Sequence, residues 1–363
     1  CAAAHYPFCA ATFDAVNKTF THTWGDAYCS TDLAAYDFMF STVYETPFVV
    51  DETTTVLPIA LTFRPLMARI GMKLALGANE TPKYVTFTTD DNVLPTAGTV
   101  NADGTFSASA LTNSLTVETD RKEFTVGLLP VGVASKMSVH VTTTDGMTYS
   151  DKSFQLAGLK RNTHYTMNVP CRTKRFMLTV PDGVNSKYGT GTYGDNGFFQ
   201  VEPQYDPESI FDGWHFLRSE IKSDKDAADG DVLKNRNRIQ LQAVSLGTNR
   251  AQNGAFVTPP IQCDGTKTVT VSFTAATNTI IANPVEYRIG VTNNGADISE
   301  NFLRSFDNIQ SSETGTCPWR YSGSVSRTHT FTVANGQRIM MKLSTNCGSS
   351  YHLELADFTY TVE

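Results

Sequence analysis

Short runs rich in Thr, Val, Phe and Tyr recur along the chain and constrain its fold more than any other feature. Most of them alternate apolar and polar residues, which is the pattern of a half-buried β-strand. Turn signals such as "TDGM" and "ANGQ" separate them, because Asp, Asn and Gly tolerate the backbone of tight turns. No stretch sustains the apolar spacing of an amphipathic helix, so we predict an all-β protein of sandwiches or barrels. The runs read "VTFTTD", "SLTVETD", "EFTVGLL", "KMSVHVTTT", "TVTVSFTAA", "THTFTVA" and "HLELADFTYTV".

Length and charge narrow the class of protein. The chain has 363 residues, which is enough for two ordinary domains with a core in each. The formal net charge of −7 argues against nucleic acid as a partner, because phosphate binding requires clustered Lys and Arg. The longest apolar runs, such as "FTVGLLPVGVA", are far shorter than a membrane span.

A polar link suggests where the chain divides. The run "THYTMNV" predicts a strand ending at Pro170, the basic stretch "CRTKR" follows, and "RFMLTV" predicts a new strand. We place the boundary at about residue 173, which predicts domains over residues 1–172 and 173–363. The first is a Thr-rich β-domain, and the second has longer loops, such as "SDKDAADGD" and "GTGTYGDNG".

The seven cysteines can remain reduced as easily as pair, and their spacing does not fix a connectivity. None forms a C-x-x-C pair, which argues against a zinc ribbon or a thioredoxin-type site. Cys1 is a lipidation candidate, because a mature bacterial lipoprotein begins with a lipid-modified Cys; a membrane would then be reached only through this anchor. The alternative is an arbitrary start with scattered free thiols. The disulfides to consider first are Cys9–Cys29 and Cys317–Cys347.

Four segments between residues 30 and 170 follow one another in an informative order. They read "YDFMFSTV", "LPIALTFRPLMARIGMKLAL", "FTVGLLPVGVASKMSVHVTTTDGMTYS" and "FQLAGLKRNTHYTMNV". This order resembles the N-terminal domain of the fimbrillin family, the pilus subunits and pilus-associated lipoproteins of Bacteroidetes. The family's strand pattern L-x-F-x-H-x-[LM]-[AS]-[KR]-[IV] matches residues 61–70, except that Arg64-Pro65 occupies the region of the common His. The closing element is matched by Leu156, Gly158, Tyr165 and Val169.

The resemblance implies both a fold and a mode of assembly. It implies a transthyretin-like β-sandwich whose open sheet edge accepts a strand from a neighbouring subunit, so that backbone hydrogen bonds supply the affinity. The expected partners are therefore other pilus subunits, joined by strand exchange. Phe63, Leu66, Met67 and Ile70 of the strand pattern are expected in the core, where they record packing rather than chemistry.

The second half is similar to the galactose-binding-like jelly-roll modules of many Bacteroidetes surface proteins. An aromatic strand, an apolar strand, a turn of the type T-P-x-[IL], a β-rich run and a closing strand with an Asp follow in that order. Some such modules bind sugars and others only extend a scaffold, so this likeness implies a fold and leaves function open. The matching residues are Gly213, Trp214, Gly254, Thr258, Pro259, Ile261, Val269 to Phe273, Asp357 and Phe358.

Signatures of catalysis are missing from the sequence. There is no G-x-S-x-G and no H-E-x-x-H, and the G-x-G-x-x-G in "GTGTYG" is followed by "DNGFF" rather than by a helix. We therefore expect no enzyme activity and no cofactor apart from structural calcium. The acidic loop "SDKDAADGD" could ligate Ca²⁺ through its carboxylates, although its spacing departs from the EF-hand and a solvated loop is the simpler interpretation. Its carboxylates are Asp224, Asp226, Asp229 and Asp231.

Sugar recognition is the sharpest functional hypothesis for the second half. A pyranose ring stacks its C–H face on an aromatic plane, while Asp, Asn and Arg bind the hydroxyls, and an exposed aromatic loop often marks such a site. The loop "CPWRYSG" suits this role, although a buried corner or a contact with the first domain fits Trp319 as well. Trp214 lies in a strand-like run, where a tryptophan is more often a core residue. The glycan-binding candidates are Trp319, Arg320, Tyr321, Tyr193, Asp195, Trp214 and Asp212.

Together these features predict a fimbrillin-like accessory or tip subunit of a pilus, at the cell surface, outer membrane or fimbrium. Its first domain would attach to the pilus, and its second would bind a host or microbial glycan or a surface protein. One alternative is a surface glycan-binding lipoprotein of a polysaccharide-uptake system. Another is a structural stalk protein that binds nothing.

Overall fold

The computed structural model confirms the predicted all-β class. By internal contacts the chain forms two compact units, each described below by itself. The first unit comprises Cys1–Leu76, Thr81–Thr144 and Thr148–Arg172, and the second comprises Gly77–Glu80, Asp145–Met147 and Thr173–Glu363. The structure describes residues 5–6, 11–25, 31–32, 38–41, 62–101, 104–180, 185–188, 191–193, 199–201, 205–206, 211–222, 233, 236–243, 253–277, 284–293, 295–317, 323–344 and 352–363.

Fourteen described strands build the first unit. They pair into the sheets β1-β4-β5, β2-β3-β8-β9, β10-β7-β12-β13 and β11-β6-β14. All described pairs are antiparallel except β14 with β6, which is parallel. The strands are β1 His5–Tyr6, β2 Thr12–Asp14, β3 Thr19–Thr23, β4 Met39–Ser41, β5 Phe63–Pro65, β6 Ala68–Ala75, β7 Pro82–Thr89, β8 Leu94–Val100, β9 Phe106–Thr112, β10 Ser114–Glu118, β11 Glu123–Leu128, β12 Ser135–Thr143, β13 Thr148–Leu156 and β14 His164–Pro170.

Alternation along the strands creates the core of the first unit. In β12, Met137, Val139 and Val141 are buried, while Lys136 between Ser135 and Met137 is exposed. Successive side chains of a strand point to opposite faces, so each alternating run contributes one apolar face. These faces meet in one cluster that also includes side chains from β6, β7, β10 and β11.

The strand predicted over residues 61–70 is interrupted in the structure. β5 ends at Pro65, and β6 begins only at Ala68. Proline has no N–H for a sheet ladder, so a strand rarely continues through it. The next residue, Leu66, instead donates its backbone N–H to the carbonyl of Phe38 at 2.8 Å.

The core prediction for this segment is correct for three residues and wrong for one. Leu66, Met67 and Ile70 are buried, as predicted. Phe63 is 43% exposed, so its assignment to the core is wrong. Phe63 lies in a strand of three residues, opposite Ser41, and a strand this short leaves its aromatic side chain outside the cluster of the larger sheets.

Fifteen described strands and one short helix build the second unit. The helix α1 spans Glu300–Arg304 and is followed by a 3-10 turn over Phe306–Asn308. The strands are β15 Lys174–Met177, β16 Asn185–Tyr188, β17 Gly191–Tyr193, β18 Phe199–Val201, β19 Tyr205–Asp206, β20 His215–Leu217, β21 Ser219–Lys222, β22 Arg238–Gln242, β23 Ala255–Val257, β24 Thr266–Thr277, β25 Val285–Val291, β26 Gln310–Cys317, β27 Val325–Ala334, β28 Ile339–Leu343 and β29 His352–Val362.

Two antiparallel sheets enclose the core of the second unit. In the first sheet, β29 pairs along one edge with β24 and along the other with β15 and β22. The second sheet has the order β19-β20-β23-β28-β25-β26. Apolar side chains from both sheets form one buried cluster, which is the sandwich architecture expected of a jelly-roll module. Within the described part of the chain, no helix is long and apolar enough to cross a membrane.

Candidate functional site

A groove of about 550 Å³ lies between β13 and β14 in the first unit. Its walls are the end of β13, the connection that follows β13, and the first part of β14. Single side chains of β6 and β12 complete it. The lining residues are Ile70, Met137, Lys152, Phe154, Gln155, Leu156, Ala157, Gly158, Leu159, Tyr165, Thr166, Met167 and Asn168.

The floor of the groove is apolar. Ile70 and Met137 are fully buried beneath it. Phe154, Tyr165 and Met167 are half-buried and pack against the core while part of each side chain faces the groove. Half-buried apolar side chains in a concave surface favour a ligand that removes them from water.

Hydrogen bonding and charge at the rim keep the walls in place. The backbone N–H of Lys160 donates to the Tyr165 hydroxyl at 3.0 Å, so the ring is tied to the connection before its own strand. The ammonium of Lys152 lies 6.0 Å from the centre of the Phe154 ring. A cation over an aromatic face attracts the ring electrostatically, and here it leaves the rim positively charged.

Strand β14 borders the groove as the last strand of its sheet. It pairs with β6 in a parallel register in which Tyr165 lies opposite Ile70 and Met167 opposite Met72. On its other side no described strand pairs with β14, since the order is β11-β6-β14. An edge strand presents a row of backbone N–H and C=O groups to any further strand. The groove therefore combines an apolar floor with a hydrogen-bonding edge.

Most of the aromatic residues predicted to bind sugar lie outside the part of the chain that the structure describes. Trp319, Arg320, Tyr321 and Asp195 lie outside the described residues. Tyr193 ends β17, which pairs with β18, and its side chain is likewise outside the description. The glycan hypothesis for these five residues stays a prediction.

Trp214 is a core residue, so its assignment as a glycan contact is wrong. It is 2% exposed. Its ring centre lies 5.0 Å from that of Phe176 and 5.5 Å from that of Phe256, and it stacks on Phe216 at 5.9 Å. A bulky aromatic side chain inside a packed sandwich contributes burial and has no face left for a sugar ring.

The turn before Trp214 separates it from Asp212. Asp212 is exposed, while the backbone N–H of Trp214 donates to the carbonyl of Phe211 at 3.0 Å. Gly213 between them has φ of 74°, a conformation that favours glycine. The turn therefore sends the carboxylate outward and the indole inward, so the two side chains form no common binding face.

The predicted metal and disulfide residues are largely outside the description. This applies to Asp224, Asp226, Asp229 and Asp231, and to Cys1, Cys9, Cys29 and Cys347. Elsewhere in the described chain no group of three His, Cys, Asp or Glu side chains could hold a metal ion. Cys317 is buried as a free thiol, so its predicted bond with Cys347 is not formed in this structure. Burial raises the pKa of the Cys317 thiol to about 12.

Comparison with protein families assigns the first unit, which contains the groove, to a family. Residues 2–182 match the family described as fimbrillin-like. The N-terminal half of the chain belongs to the fimbrillin-like family. No curated protein matches the chain significantly.

Several solved structures match parts of the chain. A candidate cell adhesion protein of Bacteroides uniformis matches with 16% identity and a TM-score of 0.34, over 46% of this chain and 66% of that one. A second, of Bacteroides ovatus, matches with 22% identity and a TM-score of 0.33, over 46% and 61%. The xylan-binding domain CBM22-1 from Paenibacillus barcinonensis matches with 10% identity and a TM-score of 0.24, over 49% and 92%. The matched regions span less than two thirds of both Bacteroides chains.

The fimbrillin-like motif residues surround the groove. Leu156, Gly158 and Tyr165 line it, and Val169 is buried beside it. Gly158 has φ of 122°, and a Cβ there would lie 2.9 Å from the carbonyl oxygen of Val131. Only glycine fits this conformation and approach. The motif thus shapes the groove as well as the core.

Sequence reasoning missed the half-buried residues of the groove. Met167 lies in the run "THYTMNV", which the sequence correctly predicts as a strand, and Phe154 lies in β13. Alternation indicates which side chains share a face, but it does not distinguish a covered face from an open one. The available signal was the spacing of Tyr165 and Met167, which places both on one side of a strand next to the polar link.

The outer face of the second sheet in the C-terminal unit is covered. Leu217, Val257 and Met340 lie on that face and form a buried cluster with Leu303 of α1 and with Ile309. The segment around α1 therefore occupies an apolar sheet face that would otherwise be open to a ligand.

A buried lysine lies under the same cover. Lys342 donates from Nζ to the backbone carbonyl of Asn253 at 2.8 Å, and its ammonium lies 5.3 Å from the Phe306 ring. Burial, together with the positive charges of Arg304 and Arg218, lowers the pKa of Lys342 to about 7. A group held this far from its ordinary pKa makes the stability of the unit depend on pH.

Proposed function

We propose that this protein is a pilus-type subunit that acts in cell adhesion at the cell surface and accepts a strand from another subunit in the groove beside β14. The observation that carries the proposal is the apolar groove next to an edge strand, within the fimbrillin-like part of the chain.

The groove suits an incoming strand on physical grounds. Hydrogen bonds to the edge of β14 would supply affinity that does not depend on sequence. Alternate side chains of the guest strand would enter the apolar floor, where Phe154, Tyr165 and Met167 are only half-buried. Covering them removes apolar surface from water, which favours association.

The second unit is proposed to act as an adhesin module that projects from the assembled subunit. Its glycan or protein contacts would come from the loop "CPWRYSG", which holds Trp319, Arg320 and Tyr321. This role involves no catalysis. It allows a structural calcium ion in the acidic loop that contains Asp224.

A stalk role without a ligand is the second candidate for this unit. The observations in its favour are the burial of Trp214 and the cover of α1 over the outer sheet face. A glycan array on the whole chain separates an adhesin from a stalk.

We expect Met167→Asp to reduce assembly at least about tenfold, because a carboxylate buried in an apolar groove costs more than about 1.4 kcal/mol. The measurement is the amount of high-mass oligomer recovered from the cell surface, resolved by gel filtration and electron microscopy. Met167 is half-buried, so the monomer is expected to fold, which circular dichroism checks.

The matched control is Ser109→Asp, which places the same charge on the exposed strand β9. It should leave assembly unchanged. Normal oligomers from a folded Met167→Asp protein would show that no strand enters the groove.

A further inference from the structure

A buried lysine lies against two buried carboxylates in the second unit. Lys174, the first residue of β15, is 1% exposed, and its Nζ lies 2.6 Å from Oδ2 of Asp145 and 3.0 Å from Oε1 of Glu80. Both carboxylates are buried as well. The ammonium also donates to the backbone carbonyl of Gln262.

Backbone amides hold both carboxylates in position. Oδ2 of Asp145 accepts from the N–H of Gln262 at 3.0 Å, and Oδ1 accepts from the N–H of Met147 at 3.2 Å. Oε2 of Glu80 accepts from the N–H of Gly77 at 2.8 Å. The three side chains are therefore fixed by the main chain, and their approach does not depend on mobile rotamers.

The setting of this cluster is apolar. One ammonium faces two carboxylates, and burial makes each of these charges costly. Tyr360 and Met147 belong to the adjoining buried cluster. Burial, and next the charge of Asp145, raise the pKa of Tyr360 well above its ordinary value.

We infer that Lys174 and Asp145 condense to form a side-chain amide bond, with Glu80 as the proton carrier. A proton passes from Nζ of Lys174 to Oδ2 of Asp145 across their 2.6 Å contact, the freed lone pair of Nζ attacks Cγ, and a C–N bond forms. Glu80 accepts a proton from Nζ and passes it to the departing hydroxyl, so that the C–O bond breaks and one water leaves. Glu80 ends as it began, and no electron donor or acceptor is needed.

The geometry supports each part of this reaction. The reacting groups are held in hydrogen-bond contact, and fixed proximity of this kind replaces the entropy cost of a bimolecular encounter. The N–H groups of Gln262 and Met147 donate to the two oxygens of Asp145, where negative charge develops as the nitrogen attacks. Exclusion of water from the site also disfavours hydrolysis of the amide.

Two other ion pairs among the described residues each lack one of these conditions. Lys73 and Glu123 are 2.8 Å apart, but their side chains are 66% and 67% exposed, so both stay hydrated. Arg238 and Glu354 form a buried pair, but a guanidinium does not give up its proton to become a nucleophile. The cluster around Lys174 combines burial with an amine and a carboxylic acid.

The bond would change how the second unit resists unfolding. It would join positions 29 residues apart and close the chain between them. A covalent cross-link restricts the unfolded ensemble, as a disulfide does, but cannot be reversed by thiols. This gain is independent of the groove beside β14.

The test is the intact mass of the folded whole chain after reduction and alkylation of its cysteines. We expect a mass lower than the sequence mass by one water molecule, and tandem spectra of proteolytic peptides in which Lys174 is joined to Asp145. Glu80→Gln should keep the full mass and the fold, because the carboxylate that carries the proton is gone. Lys174→Arg should also keep the full mass.

Two controls separate this bond from other sources of water loss. A succinimide at Asp145-Gly146 would give the same mass change, but it would persist in Lys174→Arg and would leave the peptides unlinked. Glu123→Gln, in the exposed pair, should still lose one water. A folded wild-type chain at full mass, or a water loss retained in Lys174→Arg, would overturn the proposal. If the Glu80→Gln protein still loses one water, the role of Glu80 as proton carrier is wrong.

Discussion

Replacing Trp214 by Ala is expected to lower the free energy of unfolding of the second unit by about 4 kcal/mol. The indole is buried among aromatic side chains of both sheets, including Phe216 and Phe256 on one side and Phe358 and Tyr360 on the other. Truncation removes this contact area and leaves a cavity that the surrounding rings fill only in part.

The measurement is denaturant unfolding followed by circular dichroism at constant pH. Met177→Ala is the matched control, because Met177 is a large apolar residue of the same unit that is 58% exposed. Its substitution should change the free energy of unfolding by no more than about 0.5 kcal/mol. A Trp214→Ala protein that keeps full stability but loses binding of a glycan would contradict the core assignment.

Replacing Lys342 by Met should remove a pH dependence from the stability of the second unit. In the folded chain the pKa of Lys342 is lowered from 10.5 to about 7, first by burial and then by Arg304 and Arg218. The unfolded chain therefore binds more protons between these two pH values, and the stability of the wild type rises with pH across that window. Below the folded pKa the lysine is charged in both states, and its burial penalty is at its full value.

The expected change in the free energy of unfolding follows from the pH range between the folded and unfolded pKa values of Lys342. Each pH unit contributes about 1.4 kcal/mol, so the wild type should gain about 4 kcal/mol relative to Lys342→Met between pH 7 and pH 10. The difference between the two proteins is the quantity to measure, because other groups titrate in both. Lys267→Met, at a partly exposed position of β24, controls for the loss of one positive charge. Parallel stability curves for the wild type and Lys342→Met would contradict the lowered pKa.

The strands could be predicted from the sequence because their signal is local. The run "HLELADFTYTV" becomes β29, and "KMSVHVTTT" becomes β12. The turn expected at "TDGM" is present, with φ of 78° at Gly146. The failure at Phe63 has a local cause too, since Pro65 interrupts the strand that the family pattern continues.

The candidate sites could not be predicted, because they depend on contacts between distant positions. In the sequence, Asp145 is recognised only as part of a turn and Lys174 only as part of a basic link. No periodicity in the sequence indicates that their side chains are in contact. Trp214 fitted both a core position and a ligand position, since alternation assigns a face without saying what covers it. That β14 is an edge strand follows from the order of the strands in its sheet, and no local pattern in the sequence predicts this order.

Hydrogen exchange along β14 tests the central claim most directly. The backbone N–H groups of residues 164–169 in β14 should be compared between the isolated chain and the polymer recovered from the cell surface, with β9 as an exposed reference. If the groove receives a strand, new backbone hydrogen bonds should slow exchange in β14 by at least about tenfold and leave β9 unchanged. Equal exchange of β14 in the two states, with the polymer intact, would contradict assembly through this edge.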